Sequence, residues 1–103
     1  MDISLKNLDD STLIIEASGR LDLDNAMKYE SVVADAIDTD TKIKNIVFDF
    51  SKITFIASYG LRVIIECHKK AIARGGSLKI KGASEDIKKS FNLVGFNKLL
   101  TLE

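Results

Sequence analysis

Hydrophobic residues in this chain change period several times, and each change marks an element. Ile3 to Leu8 and Ser11 to Ser18 are both strand-like, Ile14 alone breaking the two-faced pattern of the second, with Asp9-Asp10 between them as turn chemistry, so the chain opens as a hairpin. In the second run Leu13, Ile15 and Ala17 share one face, and Gly19 is read as the strand's end. Arg20 to Asn25 leads into a helix with Asp24 or Asn25 as its expected N-cap, and Ala26, Tyr29, Val33 and Ile37 recur at helical spacing as its inner stripe. Polar residues 38–42 return the chain to a strand, Ile43 to Phe50, whose continuous apolar core implies a central position with both faces covered. Asp49 to Ala57 reads as the loop after it.

A second helix begins near Ser58. About 100° per residue gathers Leu61, Ile64, Ile65, His68, Ala71 and Ile72 on an apolar arc, and places Arg62, Glu66, Lys69, Lys70 and Arg74 opposite. Val63 falls toward the polar side, as an exposed apolar residue suited to a partner. Gly75-Gly76 ends the helix, Ser77 to Lys81 alternates as a strand, and Ser84 caps a third helix with Ile87 and Phe91 facing inward. Gly95 breaks that helix, and Lys98 to Leu102 adds a last short strand. The order ββαβαβαβ is that of a single α/β domain, residues 1–103, with a mixed, largely parallel sheet and right-handed crossover helices. Three loops, Gly19 to Asn25, Phe50 to Ser58 and Gly82 to Ser84, then open on one sheet edge. They bring Asp22, Asp24, Ser58 and Ser84 to a common surface, where open α/β sheets commonly bind ligands.

Composition narrows what that surface does. In 103 residues, 46% hydrophobic and 29% charged, 15 basic side chains balance 15 acidic ones, so no basic excess favours nucleic acid. The apolar runs are too short to insert in a membrane, and the start of the chain carries no signal-peptide pattern; the expected location is the cytoplasm. The single cysteine, Cys67, and single histidine, His68, form neither a disulfide nor a metal set, and both read as core or semi-buried residues. No metal, cofactor or catalytic residue is expected. A hydrolase built on Ser58 would need a base, and the only histidine lies on the apolar arc; the Gly75-Gly76 pair follows a helix, where it does not cradle phosphate. Ser58 itself has two readings. One is a plain N-cap; the other is a modifiable alcohol at the positive end of a helix dipole.

Val47-Phe48-Asp49-Phe50-Ser51-Lys52-Ile53-Thr54-Phe55-Ile56-Ala57-Ser58-Tyr59-Gly60-Leu61 resembles the signature loop of STAS domains, the module of bacterial anti-sigma factor antagonists and sulfate transporter tails. Gly19-Arg20-Leu21-Asp22, Gly75-Gly76 and Phe91 to Leu100 resemble further family segments in the same order. The resemblance implies a non-enzymatic regulator that binds an anti-sigma factor serine/threonine kinase while Ser58 is free, lets go when that kinase phosphorylates it, and is reset by a serine phosphatase. It places partner contacts at Asp22, Asp24, Ala57, Ser58, Tyr59, Gly60, Arg62, Val63 and Ser84. The family's usual acid before the serine is Ala57 here, and the usual small residue after it is Tyr59. The alternative reading keeps the fold and drops the switch: a docking subunit in a signalling or lipid-transport assembly, with Ser58 as a cap.

Overall fold

The computed structural model describes residues 2–98 and 100–103. The elements are β1 (Asp2–Asn7), β2 (Thr12–Leu21), α1 (Leu23–Thr39), β3 (Asn45–Ile56), α2 (Ser58–Ala73), β4 (Leu78–Lys81), α3 (Glu85–Leu93), a 3-10 turn (Phe96–Lys98) and β5 (Thr101–Leu102). They build one sheet of order β1-β2-β3-β4-β5, in which only the β1/β2 pair is antiparallel. The predicted mixed α/β architecture is thus the observed one.

The strand order advances without reversal, so right-handed crossovers carry every helix to the same face. Burial follows this geometry. Leu13, Ile15 and Ala17 of β2, Ile46, Phe48 and Phe50 of β3, and Leu78 and Ile80 of β4 are buried together, while Glu16 and Lys79 between them are exposed. On that second face even Val47 and Asp49 are only partly covered. The expected burial of the central strand on both sides is therefore corrected: an apolar run cannot reveal that the sheet has helices on one face only. With no reversal of strand order there is also no topological crevice of the kind that holds ligands in doubly wound sheets.

Under the helices, Tyr29 of α1 lies edge-on to Phe48 at 5.1 Å between centroids, and Phe48 stacks on Phe50 at 5.7 Å. The inner stripe of α1 is Ala26, Tyr29, Val33 and Ile37, as its spacing predicts. That of α2 is rotated from the expected arc: Gly60, Val63, Ile64, Cys67 and Ala71 are buried, and Ile72 is 55% exposed. Three of those five are small. They let the helix lie close to its neighbours, whereas a reading weighted by hydrophobicity is drawn to the isoleucines.

Two strands run further than their sequences suggest. β2 passes through Gly19 to Leu21, and β3 passes through the expected loop to Ile56. Register shifts between Glu16 and Ser18, and again between Gly19 and Arg20, leave extra residues on β3. A bulge inserts one residue and turns the following side chains to the other face. Phe50 and Ile53 are consequently both buried although three positions apart, which breaks the alternation by which a strand is recognised. At the other end of the chain, the segment expected as one strand divides into the 3-10 turn and the two-residue β5.

Candidate functional site: the rim at the ends of β2 and β3

The last residues of β2 and β3 run side by side, Arg20 opposite Phe55 and Leu21 opposite Ile56. The backbone then joins the two loops, because the Ala57 amide donates to the Leu21 carbonyl at 3.0 Å. Gly60 secures the close fit: a Cβ there would stand 3.0 Å from Ile56 Cγ2 and 3.2 Å from both Leu21 Cδ2 and the Leu21 carbonyl oxygen. Gly60 is buried and so shapes the rim from below instead of presenting a surface to a partner.

Asp22 caps α1, its Oδ1 accepting the Asn25 amide at 3.1 Å, which corrects the expectation of Asp24 or Asn25 in that role. Asn25 uses its side-chain amide elsewhere, donating to the Arg20 carbonyl at 2.7 Å. Asp24 is the acidic residue of the first turn and is exposed. On the neighbouring helix the cap position belongs to Ala57, which has no side chain with which to satisfy the first amides. Ser58 is the first helical residue, exposed at the rim. The N-cap reading of Ser58 is therefore overturned; its hydroxyl stands beside a helix terminus whose amides lack side-chain partners.

Tyr59 is half-buried, and its hydroxyl donates to Glu30 Oε1 of α1 at 3.2 Å. Desolvation, then the Glu30 bond and charge, raise its phenol above the ordinary value. Arg62 is exposed one turn beyond Ser58. Val63, expected as an exposed apolar contact, is 1% exposed and belongs to the core. Ser84 lies three residues beyond β4. It caps α3, accepting the Ile87 amide at 3.3 Å, but β4 ends at Lys81 opposite Asp49, while β3 continues to Ile56. The ends of β2 and β3 thus gather Asp22, Asp24, Ala57, Ser58, Tyr59 and Arg62, whereas Ser84 follows the shorter β4.

At the level where β4 stops, Asp49 organises the bulge. Its Oδ1 accepts the Ser51 hydroxyl at 2.7 Å and the Ser51 amide at 3.0 Å, and Lys81 Nζ lies 3.9 Å from Oδ2. Burial pushes the Asp49 carboxyl up, but the Ser51 bonds and the charges of Lys81 and Lys52 prevail and hold it below its usual range.

The profile of the family described as STAS domain matches residues 4–103. The chain belongs to the STAS domain family. Its fold is similar to that of the Bacillus cell fate determinant SpoIIAA in its phosphorylated form, at TM-score 0.78 and 19% identity, covering 99% of this chain and 91% of that one. An anti-sigma factor antagonist of Mycobacterium paratuberculosis matches at TM-score 0.84 and 19% identity over 98% of this chain and 83% of its own. A serine-to-glutamate variant of RsbS from Moorella thermoacetica matches at 0.81 and 17% identity over 100% and 86%.

On this STAS domain the rim carries features absent from the sequence reading. Leu23 and Met27 of α1 are 54% and 52% exposed, and Met27 borders the groove of about 350 Å³ between α1 and α2 that Glu30, Glu66 and Lys70 also line. Their signal was present: they recur at i and i+4 outside the buried stripe. Phe55, 38% exposed, carries the Arg20 guanidinium 4.2 Å above its ring. This pair had no such signal, since Phe55 lay in a presumptive loop.

Proposed function

We propose that this STAS domain is an anti-sigma factor antagonist switched at Ser58. It binds an anti-sigma factor serine/threonine kinase with Ser58 free, is released when that kinase phosphorylates the hydroxyl, and is restored by a serine phosphatase. The role is one of binding, without catalysis, in the cytoplasm; among the described residues no helix is long and apolar enough to cross a membrane. The observation that carries the reading is the placement of Ser58: exposed, first in its helix, and free of the capping duty that occupies most serines at such positions. The likeness to SpoIIAA, RsbS and the mycobacterial antagonist supports it.

Asp22, Asp24, Ala57, Tyr59 and Arg62 lie, like the serine, where β2 and β3 end side by side, and Leu23 and Met27 add apolar area on the adjoining helix. A partner seated there covers Ser58. Phosphate brings about −1.5 to −2 charges into that contact, close to the Asp22 and Asp24 carboxylates, and opposes docking by repulsion and desolvation. The test is incubation with ATP and an anti-sigma factor serine kinase from the same genome, with the modified residue located by mass spectrometry. Phosphate on Ser58, none on Ser58→Ala, and partner affinity lowered roughly tenfold or more in Ser58→Glu are expected. Labelling at another residue, or equal affinity for the native chain and Ser58→Glu, overturns the reading and leaves a docking domain without a switch.

A further inference from the structure

β1 is an edge strand with one neighbour, and all its residues but Ile3 are exposed. Which of its backbone groups are free follows from register. β1 and β2 pair so that partner numbers sum to a constant, Asp2 with Ser18 through Asn7 with Leu13, and the Leu8 amide extends the series by donating to the Thr12 carbonyl at 3.0 Å. Opposed residues in an antiparallel pair alternate between bonded and non-bonded. Lys6, Ser4 and Asp2 therefore bond to β2, and the amides and carbonyls of Ile3 and Leu5 point away from the sheet. Side chains alternate as well. Ile3 and Leu5 lie on the helix-covered face with Ala17 and Ile15, and Leu5 is 47% exposed, while Asp2, Ser4 and Lys6 line the open face.

We propose that this edge recognises a second copy of the chain, the two β1 strands pairing antiparallel about a two-fold axis at Ser4. The strand's own order of residues selects the register. Centred on Ser4, Asp2 faces the partner's Lys6 and Lys6 faces the partner's Asp2, while Ile3 and Leu5 pair apolar against apolar and exchange backbone hydrogen bonds. A slide of two residues in one direction sets Asp2 against Ser4; in the other it sets Lys6 against Ser4. Both lose the charge match. A lysine on an edge strand ordinarily discourages pairing; here its opposite charge stands at the symmetric position, and neither Asp2 nor Lys6 has an ion-pair partner among the described residues. Pairing joins the two sheets, covers the exposed Leu5, and leaves Ser58, two strands away, free on each copy. The inference is independent of whether Ser58 is phosphorylated.

Sedimentation equilibrium of the chain, without an N-terminal tag beside β1, tests this between about 1 μM and about 1 mM, the range of small, transient interfaces. The native chain is expected to associate as a dimer. Asp2→Lys and Lys6→Asp, each of which sets like charges opposite one another twice, are expected to weaken it by roughly fivefold or more. The double variant carrying both swaps restores opposite charges and is expected to dimerise as the native chain does. A monomer throughout the range overturns the proposal. So does a dimer indifferent to the single swaps, or one that the double swap fails to rescue. Circular dichroism of each variant separates these outcomes from loss of fold.

Discussion

At the scale of single residues, two serines near helix starts have opposite jobs. Ser84 satisfies an amide of α3, whereas the corresponding position of α2 is filled by Ala57 and Ser58 lies one residue inside. Replacing a capping serine by alanine costs typically about 1 kcal/mol, and a serine that caps nothing lacks that contribution. Ser84→Ala is therefore expected to lower unfolding stability in urea by about 1 kcal/mol, and Ser58→Ala by less than about 0.5 kcal/mol. Equal losses would place Ser58 back among structural caps. The same distinction was hidden in the sequence, where both serines precede a helical pattern; a shift of one residue in the helix start decides between them.

At the scale of elements, α2 is held at both ends by glycine. At its start Gly60 lets the first turn settle against β2 and β3; at its end Gly75 has φ +77° and the Gly76 amide donates to the Ala71 carbonyl at 2.9 Å. Gly76 then passes Lys44, just before β3, so closely that a Cβ would stand 1.8 Å from the Lys44 carbonyl oxygen. That atom is backbone and cannot turn aside. Gly76→Ala is expected to cost roughly 2–4 kcal/mol by forcing the helix end off the strand. A thermal midpoint within a degree or so of the native value would show that the turn yields instead. The glycine pair was legible as a helix stop. That its second member is required by contact between distant segments was not, because Lys44 lies far back in the chain.

For the whole molecule, one layer of helices covers one face of the sheet, and Cys67 lies between them at 4% exposure. Burial pushes its thiol pKa up to about 12, so it carries almost no thiolate at neutral pH and is sheltered as well. Its reaction with an aromatic disulfide reagent is expected to proceed only through opening of the molecule, at a rate that rises with denaturant in step with global unfolding. Rapid labelling of the native chain would mean that the α1–α2 groove opens locally beside it. The open face of the sheet and the free edge of β1 also belong to this scale. Neither exists until strands far apart in the chain have paired.

The order of elements, the hairpin at the start, the stripe of α1 and the serine worth examining were all determined by the sequence itself, because they rest on periodicity and local chemistry within a dozen residues. The tertiary structure alone decided which face of the sheet is covered, how far β2 and β3 run, and how α2 is rotated. These depend on register between segments: bulges on β3 displace its alternation, and small residues draw α2 inward where larger ones are more hydrophobic. Pairing between distant strands sets such features, and no local window contains both partners.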